Sequence, residues 1–61
     1  MSELLFTVHI GRLERDGTVT PVDYCTNLDA DTAGQVIART LRTATPGTAY
    51  DLTIETEGVR A

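Results

Sequence analysis

Sixty-one residues make room for one small domain, and an apolar share of 41% with a charged share of 23% marks a folded globular chain rather than a disordered tail, a collagen or a membrane span. Net charge is −4, from nine acidic residues against five arginines and no lysine, which argues against direct binding to a phosphate backbone and favours a basic partner. A chain this short hides only about 60% of the surface it exposes when unfolded, so a thin core needing help from a disulfide, a metal or a partner subunit is expected.

Cys25 is the only thiol, which removes an internal disulfide from that list and fits a reducing compartment. No apolar run approaches the roughly 18 residues of a membrane helix, and Met1-Ser2-Glu3 lacks the basic region of a secretory signal, so the cytoplasm is the expected location. With no repeat, low-complexity tract or linker, residues 1–61 read as a single small ββαβ domain.

In Glu3 to Ile10 the apolar residues Leu4, Phe6, Val8 and Ile10 alternate with mostly polar neighbours, the pattern of a strand with one buried face. A second apolar stretch, Val19 to Cys25, follows Asp16-Gly17, a hairpin signal. A two-residue loop sets Ile10 opposite Asp23 and Val8 opposite Cys25, placing a carboxylate on the apolar face. A three-residue loop, Arg15-Asp16-Gly17 with Gly17 left-handed, pairs Val8 with Tyr24, Ile10 with Val22, Phe6 with Thr26 and Leu13 with Val19. The second register is preferred, because a slip of one residue reverses the face of every side chain. Pro21 has no N–H for a ladder, so this strand belongs at an edge.

A helix is expected after Asp29, its N-cap, with Leu28 as a staple against Ala33 and Asp31 near the positive end of the dipole. Ala33, Ile37, Leu41 and Ala44 form one apolar stripe with Val36 beside it, while Gln35, Arg39 and Arg42 lie on the polar face. Thr45-Pro46-Gly47 ends the helix. From Ala49 to Glu57 the chain alternates again, with Tyr50, Leu52 and Ile54 on one side and Asp51, Thr53, Glu55 and Glu57 on the other, as in a third strand.

These elements predict an α+β fold: a three-stranded antiparallel sheet of order 2-1-3 with one helix packed on one face. A right-handed connection returns the third strand beside the first, and the proline-bearing and acidic strands take the edges. The order 1-2-3 buries the Pro21 strand and ranks second. The expected core is Leu4, Phe6, Val8, Ile10, Val22, Tyr24, Leu28, Val36, Ile37, Leu41, Tyr50, Leu52 and Ile54.

One helix covers one sheet face, so the other is the expected contact surface. There Leu13, Val19 and Pro21 form a small apolar patch, and Asp51, Glu55 and Glu57 an acidic row. His9 falls opposite Asp23 and diagonal to Cys25, a cross-strand group with no walls or donors for nucleophilic catalysis and too far apart for direct Cys–His contact. No catalytic residue, metal site or cofactor is therefore assigned, and no phosphate-binding glycine pattern or Cys-x-x-Cys occurs. The expected function is a small non-enzymatic protein-interaction or self-assembly module. It binds a protein partner or a second copy as a homodimer, through the open face or an edge strand, at Leu13, Val19, Pro21, His9, Asp23, Asp51, Glu55 and Glu57. The alternative is an acidic inhibitor or decoy, of the phage or plasmid accessory type, that blocks a basic nucleic-acid-binding surface of another protein. Neither reading involves nucleic acid directly or a membrane.

Overall fold

The computed structural model describes residues 3–60, as β1 (Glu3–Leu13), β2 (Val19–Leu28), α1 (Ala30–Arg42) and β3 (Ala49–Arg60). The strands form one antiparallel sheet in the order β2-β1-β3, with α1 on one face, the expected small α+β architecture. The most apolar strand is central and Pro21 sits on an edge strand.

The hairpin turns through Arg15-Asp16-Gly17 as expected. Glu14 N donates to Thr18 O at 2.8 Å, and Gly17 takes φ 90°, a left-handed conformation that suits glycine. From there the preferred register holds for only three pairs: Leu13 with Val19, Arg12 with Thr20 and Gly11 with Pro21. A bulge then leaves Val22 as an extra residue, and the disfavoured register takes over, with Ile10 opposite Asp23, His9 opposite Tyr24 and Val8 opposite Cys25. The expected pairs Val8–Tyr24, Ile10–Val22 and Phe6–Thr26 are thereby corrected; Phe6 faces Leu28 beyond a second bulge, where Asn27 takes φ 62°. The physical reason is Pro21: with no ladder donor there, the strand kinks beside it, and one extra residue reverses every later side chain.

Asp29 caps α1, its Oδ1 accepting from Thr32 N at 2.8 Å, and Asp31 and the pair Arg39 and Arg42 occupy the dipole-favoured ends. The helix stops at Arg42 rather than Thr45: Thr43 is its C-cap, at φ −104° and ψ 9°, and Ala44 N turns to the Leu41 carbonyl at 3.5 Å instead of continuing the ladder. A tight turn follows, with Thr48 N donating to Thr45 O and Gly47 at φ 81° after Pro46.

The core is smaller than expected. Val8, Ile10, Ala33 and Val36 are buried, with Phe6, Cys25, Leu28, Ile37 and Tyr50 packed around them. Six expected core residues stand in water instead: Val22 at the bulge, Tyr24 on the opposite face, and Leu4, Leu41, Leu52 and Ile54 on the helix side. The helix presents Ala33, Val36 and Ile37 to the sheet, so Leu41 falls on its flank and is 72% exposed. It lies chiefly over β1 and secondarily β2, which leaves Leu52 and Ile54 on the inner face of β3 about half exposed. The 13-residue helix is about 20 Å long, whereas strands of 10 to 12 residues run about 33–40 Å, so one helix cannot roof the sheet from end to end.

Candidate interaction surfaces

On the open face, β1 contributes Thr7, His9, Gly11 and Leu13, and partners directly opposite share that face. Leu13 and Val19 stand side by side, each nearly half exposed, with exposed Pro21 two residues on. Gly11 lies beneath the Val19 side chain, where a Cβ has no room, so this close approach requires glycine. An open groove of about 410 Å³ runs past His9, Gly11, Val19, Pro21, Tyr24 and Thr53. Tyr24 forms its wall and is 61% exposed, its ring 4.5 Å from that of His9 at a tilt of 58°. The tyrosine is an addition that sequence reasoning placed in the core.

The expected cluster of His9, Asp23 and Cys25 is divided between the two faces. His9 stays on the open face, opposite Tyr24 rather than Asp23, with its Nε2 3.4 Å from Glu55 Oε1. The bulge turns Asp23 and Cys25 to the helix side. There Asp23 Oδ2 accepts from Arg39 Nη2 at 3.2 Å, while its Oδ1 accepts from Tyr24 N at 3.0 Å and from Cys25 Sγ at 3.4 Å. Asp23 therefore ties helix to sheet, and its expected place on the contact face is corrected. The hydrogen bond to the Asp23 carboxylate, with burial and that negative charge adding to it, pushes the Cys25 thiol above its ordinary pKa. Such a thiol is a poor nucleophile. Among the described residues, no group of three His, Cys, Asp or Glu side chains is placed to hold a metal ion, and no helix is long and apolar enough to cross a membrane.

The acidic row is also redistributed. Asp51 faces Gly11 and Glu55 faces Thr7 on the open side. Glu57, the extra residue of a bulge in β3, reaches across β1 instead. Its Oε1 accepts from the Thr7 hydroxyl and its Oε2 from Asn27 N at 3.0 Å, so one carboxylate satisfies a buried hydroxyl and fastens the strained backbone of β2. Glu57 is thus a clamp across the sheet.

The second surface was not foreseen. On the helix side Leu52 and Ile54 of β3 are 46% and 49% exposed, and Leu41 stands beside them on the flank of α1. Two apolar hollows between helix and β3, one near Ile37, Leu41 and Leu52 and one near Gly34, Ile37 and Ile54, continue this strip. A signal was present in the sequence: Leu41 lies eight residues after Ala33, at the margin of an arc centred on Val36 and Ile37, where a narrow helix leaves side chains uncovered.

Comparison of the chain with protein-family models, with curated proteins and with solved structures yields no match.

Proposed function

We propose that this chain is a small non-enzymatic interaction module, which contacts a protein partner or a second copy of itself through its open sheet face or an edge strand. One observation carries the reading. Four hydrophobic residues are buried, whereas nine large ones are exposed on the same described chain. Scattered exposed apolar side chains are ordinary, but here five of the nine gather into two patches: Leu13 and Val19, with Pro21, on one face, and Leu41, Leu52 and Ile54 on the other. The thiol held protonated beside Asp23 and the absence of an enclosed cleft beside His9 give no support to nucleophilic chemistry.

The acidic-decoy reading draws on Asp51 and Glu55 of the open face, since Glu57 is committed to Thr7 and Asn27 and Asp23 to Arg39. The two readings separate by salt. Association through apolar patches persists as ionic strength rises, while a decoy for a basic surface releases its partner as charges become screened within about 8 Å.

The test is cross-linked capture from the native host alongside light scattering of the purified chain, repeated with Leu13→Asp and Ile54→Lys. Loss of self-association or of a captured partner in one variant supports the reading. A monomer that captures nothing, or a partner indifferent to both substitutions, contradicts it.

A further inference from the structure

The two edges of the sheet are built differently. β2 is blunted by Pro21, by the bulge at Val22 and by the left-handed Asn27, all devices that prevent another strand from pairing. β3 has none of these from Ala49 to Thr56, eight residues in unbroken register with β1 and, among the described residues, with no strand paired to their outer side. Beside this open edge lies the uncovered apolar strip of Leu41, Leu52 and Ile54.

We infer that a second copy of this chain occupies the β3 edge, pairing β3 with β3 antiparallel about a two-fold axis to give a continuous six-stranded sheet with both helices on one side. This deepens the proposed interaction module and rests on it. A two-fold axis demands that one patch complement itself, and β3 does so in one register. With Leu52 opposite its own copy, Tyr50 faces Ile54, so the helix-side pairs are all apolar. On the other side Asp51 then faces Thr53 and Glu55 faces Ala49. A slip of two residues, centred on Thr53, sets Asp51 against Glu55 and is opposed by like charge.

Surface area supports a copy of similar size. The chain exposes 4500 Å², whereas a compact monomer of this mass exposes about 3900 Å². The difference, about 600 Å², is of the order of the roughly 800 Å² that each partner loses in a standard interface. Its shape agrees: the molecule measures 44 × 21 × 10 Å with a radius of gyration of 13.1 Å, against about 10.5 Å for a compact chain of this length. Extension across β3 widens the thin layer and encloses Leu41, Leu52 and Ile54 in the trough between two helices.

Sedimentation equilibrium of the whole chain at ~10–300 µM is the test. The wild type is expected at twice its 6.6 kDa mass, with Leu41→Glu and Ile54→Lys each weakening the dimer about tenfold or more and Leu13→Asp leaving it unchanged. Leu41 projects into solvent, so its substitution leaves the fold intact, which far-ultraviolet circular dichroism verifies. A dimer dissociated by Leu13→Asp and untouched by the other two overturns this interface while the broader reading stands. A monomer that still captures a host protein overturns the second copy alone; a monomer that captures nothing overturns both.

Discussion

Ile10, buried in the core, faces Asp23 directly across the β1–β2 ladder, and the carboxylate is tolerated there because Arg39 of the helix reaches it at 3.2 Å. The pair links a β-bulge to helix placement: once Val22 is extra, Asp23 must point toward the helix, and the helix carries the cation that meets it.

Arg39→Ala is expected to lower stability by about 0.2–1 kcal/mol, the range for a partly exposed ion pair. Urea unfolding measures it. A loss well above that range means that Asp23 is more deeply desolvated than its geometry shows; no loss at all means that the contact does not orient the helix.

Gly11→Ala should destabilise the fold by about 1–3 kcal/mol, since the new methyl group overlaps the Val19 side chain. Val19→Ala removes the obstacle. In a double-mutant cycle the second substitution is expected to recover most of the first loss, and strict additivity contradicts the close approach.

The Cys25 thiol donates to Asp23 and is held above its ordinary pKa by that bond first and by burial second. Alkylation by iodoacetamide at pH 8 is therefore expected to be slower than for an unstructured cysteine peptide, and to quicken in Asp23→Ala. The linkage sign follows: the folded state holds the proton more tightly, so this contribution to stability is full below the ordinary thiol value of about 8.5 and declines as pH rises through the folded value. An alkylation rate equal to that of the peptide contradicts the contact.

Three carboxylates are shifted the other way. Arg12 and Thr20 hold Glu14 low by donating to it, Thr18 does so for Asp16, and the Thr32 N–H does so for Asp29. As pH falls the unfolded chain takes up these protons first, so the stabilisation is present above the ordinary carboxylate range, about pH 4, and is lost below it as the folded values are crossed. The urea midpoint should hold from neutrality to about pH 4.5 and then drop. Combining Glu14→Gln, Asp16→Asn and Asp29→Asn should flatten that drop, and an unchanged acid limb in this variant contradicts the assignment.

Much of the architecture was legible because it depends on local chemistry. Alternation marked the strands, Asp29 marked the helix start, Asp16-Gly17 marked the three-residue turn, and Pro21 marked an edge, which together define the order β2-β1-β3. The site was read less well, because it depends on a single inserted residue. Requiring uniformly apolar pairs across the hairpin assumed one register throughout, whereas the bulge at Val22 joins two. That sent Tyr24 to the open face and Asp23 and Cys25 beneath the helix. Alternation in one strand carries no record of a kink whose compensation, Arg39, lies sixteen residues away. The exposed strip on β3 escaped notice for a different reason: counting inward-facing residues says nothing about how many a 13-residue helix can cover.

Amide hydrogen exchange along the two sheet edges reads the pairing of β3 most directly. The outward N–H groups between Ala49 and Thr56 are expected to be protected, increasingly so as protein concentration rises, while the outward N–H groups of β2, those of Tyr24 and Asn27 with their carboxylate acceptors apart, show no dependence on concentration. Equal, concentration-independent exchange at both edges would contradict it.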